Sequence, residues 1–211
     1  MSSNTDNRPP DISQLDAIVL AGGDSRRMGA PKANLPFGDT SLIGTAVAAL
    51  KPVFRNVLVV TRDKSQLPDL GVEVLEDQHS LQGPLVGVAR GLAHSEAPWC
   101  FVAACDMPFL KIEVIKAMVP HLTDCDAVIP QHGGRLQTLH AFYRSSCLPI
   151  AEEILGDGIT SLRELVSRCR ATELPEEIFL NDGNGLSSFR DLDNTEDYQQ
   201  ALKESQDPPK L

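Results

Sequence analysis

The 211-residue sequence predicts an α/β protein, a three-layer α/β/α sandwich built on a mostly parallel sheet. Two observations predict this class: short apolar runs alternate with segments of helical periodicity, and glycine or polar residues directly follow several of these runs. Because repeated strand–helix–strand units form right-handed parallel crossovers, the helices should cover both faces of one sheet. With 42% hydrophobic residues, the length suits one domain, predicted at 15–204 between a flexible leader, 1–14, and a flexible tail, 205–211.

The candidate strands are short apolar runs. Residues 17–20 are continuously apolar, as expected for a parallel strand covered on both faces. The other candidates lie at 56–61, 72–75, 99–104, 127–129 and 139–143. In such a sheet the ligand crevice lies outside the carboxyl ends of the strands, so residues after these runs are candidates for the functional site.

Helices are predicted between the strands. Segment 41–50 is alanine-rich and stops at Pro52, and segments 84–94 and 111–121 each carry one apolar face. In the second half, Ser161 and Glu164 resemble a capping box, and Asn194 is a candidate N-cap of a final helix. Residues 175–188, rich in glycine and asparagine, are predicted to be a loop.

Composition excludes several classes of function. A net charge of −10 argues against a nucleic-acid surface, which would need a basic stripe. The five cysteines are odd in number and form no CxxC pair, so neither a disulfide framework nor a zinc site is indicated. The apolar runs are too short to span a membrane, and the polar amino terminus lacks the apolar core of a secretory signal. We therefore expect a cytoplasmic protein.

The most informative stretch is AIVLAGGDSRRMGAPK, residues 17–32. Gly22 and Gly23 let the backbone approach a ligand closely, while Arg27 and Lys32 supply positive charge for phosphate oxygens. The stretch matches neither the Walker pattern nor the GxGxxG dinucleotide fingerprint. The residues alone therefore leave two readings open, a phosphate-handling loop and an ordinary strand-to-helix turn with basic surface residues.

Two carboxylates follow candidate strands at the same edge of the sheet. Asp106 ends the apolar run of CFVAACDMPFL, and Pro108 turns the chain immediately afterwards. It is a candidate Mg²⁺ ligand or, alternatively, a turn former. Asp77 follows 72–75 and is either a crevice residue or a solvated loop position. An acidic protein repels nucleotides at long range, so a divalent metal would be a natural bridge between carboxylate and phosphate.

These motifs resemble the molybdenum cofactor guanylyltransferase family of MobA-like nucleotidyltransferases. LAGGDSRRMGAPK is similar to the family's signature loop, CDMPFL to its metal-binding segment, and LEDQ followed by QGPLVGV to its guanine-binding and GPL segments. The similarity runs from about residue 17 to residue 202. It implies a Rossmann-like nucleotidyltransferase fold.

The resemblance also implies an activity and a site. The reaction would be transfer of GMP from GTP to the terminal phosphate of Mo-molybdopterin, with Mg²⁺ as cofactor, and with proteins that deliver and receive the cofactor as further partners. Catalysis is assigned to Arg27, Lys32 and Asp106, and the metal to Asp106. The implied nucleotide- and cofactor-binding residues are Leu20, Ala21, Gly22, Gly23, Lys32, Asp77 and Asp106.

The chain departs from the family pattern at several positions. Thr138 stands where proline is usual, and Asp191 and Asp193 replace two asparagines. Thr61 falls where the family can show a nucleotide-contacting asparagine, and we leave it out of the predicted site. The departures leave the contacts of these positions undefined.

Two alternative functions remain. A cytidylyltransferase or sugar-phosphate nucleotidyltransferase could use the same scaffold, because fold and loop do not fix the base. LAGG rather than LAAG, together with CDMP, resembles the guanine branch. A noncatalytic nucleotide or cofactor carrier is the alternative from another class, but a mere binder needs neither Lys32 nor Asp106 for transition-state neutralisation.

Overall fold

The centre of the protein is a large mixed β-sheet, seen in a computed structural model that describes residues 8–22, 31–180 and 185–206. Within these ranges the strands are β1 (Asp16–Leu20), β2 (Pro36–Phe37), β3 (Thr40–Ser41), β4 (Asn56–Thr61), β5 (Glu73–Glu76), β6 (Trp99–Ala104), β7 (Ala127–His132), β8 (Arg135–Leu136), β9 (His140–Arg144) and β10 (Ala171–Leu174). The sheet has the order β10-β7-β9-β6-β1-β4-β5, and β8 pairs with β7. β2 and β3 form a separate hairpin.

The large sheet is mostly parallel, as predicted. β1 runs parallel to β4 and β6, β4 runs parallel to β5, and β7 runs parallel to β10. β9 lies between β6 and β7 and is antiparallel to both. The beginning of β9 therefore lies at the edge of the sheet where the parallel strands end.

Helices cover both faces of the sheet, which confirms the three-layer architecture. The helices are α1 (Leu42–Leu50), α2 (Pro84–His94), α3 (Ile112–Met118), α4 (Cys147–Gly156), α5 (Leu162–Arg168) and α6 (Thr195–Gln206). No helix among the described residues is long and apolar enough to cross a bilayer.

The side chains of β1 show how the two cores are divided. Ala17 and Val19 join one apolar cluster with α1 and α3, whereas Ile18 and Leu20 join the other with α2, α4 and α5. Successive side chains of a strand point to opposite faces, so a strand buried on both faces must be continuously apolar. This is why the 17–20 run predicts its strand so directly.

The predicted elements agree with the structure except at specific points. The helix over 84–94 is observed with those bounds, and the Asn194 cap is confirmed by a 2.8 Å hydrogen bond from the Asp197 amide. The capping box is wrong: Ser161 precedes α5 but its side chain makes no capping hydrogen bond, and Glu164 instead accepts from Arg168 Nε at 2.8 Å.

Some elements were not predicted. α4 contains Pro149, which a first helical turn tolerates but which reads as a breaker in the sequence. β10 is an edge strand with an exposed glutamate, and β2, β3 and β8 have only two residues each.

The ends of two predicted segments also contain short helices. The predicted leader closes with a 3-10 helix, Ile12–Gln14, and the predicted loop at 175–188 contains further 3-10 turns at Glu176–Phe179 and Gly185–Phe189.

Candidate active site

A cavity of about 1040 Å³ opens at the carboxyl ends of β1, β4, β5 and β6. This is the edge at which open α/β sheets bind ligands. Gly23 and Arg27 lie outside the described residues. The other predicted site residues all line this cavity: Leu20, Ala21, Gly22, Lys32, Asp77 and Asp106.

The chain leaves β1 with its backbone held between the neighbouring strands. The Leu20 carbonyl accepts a hydrogen bond from the Cys105 amide at 3.0 Å, and the Ala21 amide donates to the Val60 carbonyl at 2.8 Å. Among the described residues, no atom lies within 4 Å of an ideal Cβ at Gly22. The segment therefore offers fixed backbone beside open space, the arrangement that a phosphate-binding loop needs.

Lys32 and Asp106 meet in the cavity although 74 residues separate them in the sequence. The Lys32 Nζ atom forms an ion pair with Asp106 Oδ2, and these side chains are only 19% and 18% exposed. Asp106 Oδ1 is buried and has no hydrogen-bond partner among the described residues. A buried carboxylate oxygen without a partner is costly, and a cation bound there would satisfy it.

Asp77 lies at the β4–β5 side of the cavity and is 9% exposed. Its backbone amide donates to the Thr61 carbonyl at 2.7 Å. Its Oδ1 accepts from the His79 amide at 2.9 Å, and Arg62 Nη1 lies 3.4 Å from Oδ2. The local backbone thus fixes a largely buried carboxylate at the cavity wall.

The cavity includes residues that the sequence prediction missed. Thr61 ends β4 and Arg62 directly follows it, so the rule that selected Asp77 and Asp106 would also have selected them. Asp191 arrives from the carboxyl-terminal segment, where the Leu192 amide donates to the Asp106 carbonyl at 3.1 Å. No local sequence signal indicates that long-range contact.

The reversed strand contributes the remaining wall. Residues 136–139, which run from the end of β8 to the start of β9, line the cavity and include Thr138 at the position where the family usually has proline. The Thr138 carbonyl accepts a hydrogen bond from the Tyr143 hydroxyl at 2.9 Å, which ties the turn to β9.

Negative charge predominates in the described lining. Its ionisable acidic and basic side chains are five aspartates and two cations: Asp63, Asp77, Asp106, Asp191 and Asp193 against Lys32 and Arg62. Partial burial, followed by the carboxylates of Asp193 and Asp106, raises the pKa of Asp191 above its ordinary value. Burial and the neighbouring carboxylates thus act together against ionisation of Asp191.

The remaining chemistry of the lining is limited. Burial raises the pKa of the Cys105 thiol to about 12, so it is a neutral, weakly nucleophilic group at physiological pH. In the described parts of the chain, His, Cys, Asp and Glu nowhere form a group of three that could hold a metal. Mg²⁺ suits such a site, because it usually uses one or two carboxylates and completes its shell with water and substrate phosphates.

Comparison with known proteins agrees with this geometry. The probable molybdenum cofactor guanylyltransferase of Mycobacterium avium is 35% identical over 190 residues, which cover 86% of this chain and 96% of that protein. The crystal structure of molybdopterin-guanine dinucleotide biosynthesis protein A from Archaeoglobus fulgidus is 28% identical, has a TM-score of 0.80, and matches over 91% of this chain and 99% of that one.

A more distant structure shares the fold. The 2-C-methyl-D-erythritol 4-phosphate cytidylyltransferase of Thermus thermophilus is 17% identical with a TM-score of 0.68, over 90% of this chain and 98% of that one. The predicted Rossmann-like nucleotidyltransferase fold is therefore confirmed. The model of the MobA-like NTP transferase domain matches residues 17–173. The chain belongs to the MobA-like NTP transferase family.

Proposed function

We propose that this protein is a molybdenum cofactor guanylyltransferase, which transfers GMP from GTP to the terminal phosphate of Mo-molybdopterin and releases pyrophosphate. The family membership and the 35% identical relative of that name support the reaction. The observation that carries the assignment in this chain is the meeting of Lys32 and Asp106 beside the end of β1. Cytoplasmic location and proteins that deliver or receive the cofactor stay predictions.

The triphosphate would lie beside Gly22, the exposed residue just after β1, within reach of Lys32. Backbone amides and an ammonium group are the donors that phosphate oxygens prefer. Gly23 and Arg27, outside the described residues, would extend this cradle on the basis of the family resemblance. The open space at Gly22 supports this arrangement.

Asp106 would hold Mg²⁺ through its Oδ1 atom, for which the described part of the chain supplies no hydrogen-bond partner. The excess of carboxylates in the described lining supports a divalent ion, because a polyanionic nucleotide would otherwise be repelled. When bound, Mg²⁺ supplies a template and Lewis acid for the phosphate oxygens.

The residues of this chain fit direct displacement. A new bond forms between an oxygen of the acceptor phosphate and the α-phosphorus of GTP, the bond from that phosphorus to the bridging oxygen breaks, and its electron pair leaves with pyrophosphate. The acceptor phosphate is already an anion and needs no general base, so alignment and charge neutralisation can carry the reaction. Lys32 and Arg27 would neutralise charge on the departing pyrophosphate. The neutral Cys105 thiol gives no support to a covalent intermediate.

Asp77 would select the base. Guanine presents an N1–H and an exocyclic 2-amino group side by side, and a carboxylate can accept from both. The burial and fixed orientation of Asp77 at the cavity wall support this role.

A direct test is to incubate the purified protein with Mg²⁺, metal-loaded molybdopterin and each nucleoside triphosphate in turn, and to follow pyrophosphate release. Release with GTP alone supports the proposal. Pyrophosphate release with CTP would indicate a cytidylyltransferase. Nucleotide binding without pyrophosphate release would indicate a noncatalytic carrier.

The Asp106→Ala variant tests the metal site. We expect it to abolish turnover while its thermal unfolding and circular dichroism remain those of the folded protein. Asp124→Ala is the matched control, because Asp124 is an exposed carboxylate outside the cavity lining. Full activity in Asp106→Ala would contradict the assignment.

A further inference from the structure

Arg62 is a cavity-lining cation that the proposed phosphate chemistry does not use. It directly follows β4, and 44% of its side chain is exposed. Its Nη1 atom donates to the backbone carbonyls of His79 at 2.6 Å and Leu81 at 3.2 Å. The same atom lies 3.4 Å from Asp77 Oδ2. One guanidinium nitrogen therefore joins the end of β4 to the segment that follows β5.

The segment that Arg62 contacts, residues 77–83, connects β5 to α2 without regular secondary structure. Two local hydrogen bonds shape it: the His79 amide donates to Asp77 Oδ1 at 2.9 Å, and the Leu81 amide donates to His79 Nδ1 at 3.1 Å. Backbone groups outside a helix or sheet need other partners. Arg62 supplies a donor to two backbone carbonyls of the segment, those of His79 and Leu81.

The relative lengths of these contacts indicate which one dominates. The bond from Arg62 to the His79 carbonyl is short at 2.6 Å, and that to the Leu81 carbonyl, at 3.2 Å, lies at the long end of the normal range for N–H···O bonds. The approach to Asp77, at 3.4 Å, is longer than that range. An ion pair with a partner this exposed contributes little stability, because solvent screens it. The principal effect of Arg62 is therefore to set the shape of the segment rather than to neutralise a charge.

Both oxygens of the Asp77 carboxylate have a protein contact, but their hydrogen-bonding capacity is not filled. His79 approaches one of its oxygens and Arg62 the other. Each carboxylate oxygen has two lone pairs, so both oxygens keep capacity for a ligand. This side chain is 10% exposed, and it lines the cavity, so a ligand can reach it.

We propose that Arg62 is a positioning residue for base recognition, which fixes segment 77–83 so that the Asp77 carboxylate meets the N1–H and 2-amino groups of guanine together. This inference rests on the proposed function, since it requires a guanine nucleotide in the cavity. Two parallel hydrogen bonds demand a defined carboxylate orientation, whereas a single bond tolerates a range of orientations. Loss of Arg62 should therefore weaken the distinction between guanine and hypoxanthine, which lacks the 2-amino group.

The test compares GTP with ITP as substrates of the full-length protein, with pyrophosphate release measured in the presence of metal-loaded molybdopterin and Mg²⁺. We expect the wild-type protein to prefer GTP by roughly tenfold or more in kcat/KM, the effect of one charge-assisted hydrogen bond. In Arg62→Ala the preference should fall towards parity, the KM for GTP should rise, and kcat should stay within about threefold.

Arg90→Ala is the matched control. Arg90 Nε donates to the Glu76 carbonyl at 3.2 Å, immediately before the same segment, but Arg90 does not line the cavity. This variant should keep the wild-type preference for GTP. If Arg62→Ala does not fold, Arg62→Lys becomes the decisive variant, because it replaces the planar fork with a point charge.

The possible outcomes distinguish failure of the proposed function from failure of the positioning role. No GTP-dependent release by the wild-type protein would refute the proposed function itself. A wild-type enzyme that is active, together with an unchanged GTP-to-ITP ratio in the Arg62 variant, would overturn the positioning role alone. An equal fall in kcat for both nucleotides at constant ratio would also overturn it, because that pattern belongs to a phosphate contact or to a general loss of structure.

Discussion

Replacing Lys32 with alanine separates two effects of the Lys32–Asp106 ion pair. Lys32 is proposed to stabilise charge on the departing pyrophosphate, yet its Nζ atom also occupies Asp106 Oδ2. Removal of the ammonium should therefore slow the chemical step. It should not impair binding of Mg²⁺ to Asp106, because it removes a competing cation from that carboxylate.

The expected loss can be bounded from the geometry. Two unit charges about 4 Å apart interact by roughly 4 kcal/mol at an effective dielectric constant near 20, which is appropriate for a partly open cavity. Only the portion that grows between ground state and transition state lowers the barrier. If about a third of the interaction energy develops only in the transition state, its loss lowers kcat about tenfold. If all of it does, its loss lowers kcat roughly a thousandfold. We expect a value between these limits for Lys32→Ala.

The assay is the initial rate of pyrophosphate release from GTP over a Mg²⁺ titration. Lys51→Ala is a suitable control: like Lys32, Lys51 holds its ammonium group against another part of the chain, here the Gly71 carbonyl at 3.0 Å, but it lies outside the active-site cavity. Asp106→Asn should raise the Mg²⁺ concentration needed for half-maximal rate, whereas Lys32→Ala should not. An unchanged kcat in Lys32→Ala, or an increased Mg²⁺ requirement in that variant, would refute this reasoning.

Two further predictions concern stability. Burial is the largest single influence on Asp16 and raises its pKa, but hydrogen bonds led by the two 2.9 Å bonds from Arg55 outweigh it and lower the pKa overall. Asp16→Asn should lower the free energy of unfolding by about 1–3 kcal/mol near pH 7, as measured by denaturant unfolding, and the partial exposure of Arg55 limits the loss. The difference in stability between the variant and the wild-type protein should shrink as the pH falls below about 4, because the wild-type carboxylate is then protonated. A difference that does not change with pH would contradict the ionic contribution. Gly91→Ala would place a Cβ 2.6 Å from Ile18 Cδ1 and should destabilise the protein by about 1–3 kcal/mol. Gly156→Ala, where no atom of the described residues lies within 4 Å of the new Cβ, should be nearly neutral in the same measurement. Equal effects would argue against tight packing of α2 on β1.

The sequence was sufficient to predict the central strand and much of the cavity wall. A strand buried on both faces has an unmistakable apolar run at 17–20, and the topological rule for strand ends then selects Gly22, Asp77 and Asp106. These positions need no knowledge of distant contacts. The same rule also selects Thr61, which lies at the end of β4.

Other features could not be predicted because they depend on long-range contacts or on chain direction. The apolar pattern of β9 is the same whether the strand is parallel or antiparallel, so its reversal is not visible in its residues. Asp191 reaches the cavity because the neighbouring Leu192 amide bonds to the Asp106 carbonyl, and these two residues lie 86 positions apart in the sequence. The residues around Asp191 do not indicate this contact. α4 was missed because Pro149 in its first turn resembles an interruption.

The reversal of β9 has a consequence for how such an enzyme can diversify. On the side of the cavity formed by β1, β4 and β5, the chain that leaves each strand must return along a face of the sheet to begin the next strand. Changes in the length of these connections therefore disturb the packing of the helices on the sheet. On the other side, the wall is the short turn at 136–139, which begins and ends at the same rim. Insertions in that turn can therefore reshape this wall of the cavity while the wall formed by β1, β4 and β5 keeps its dimensions.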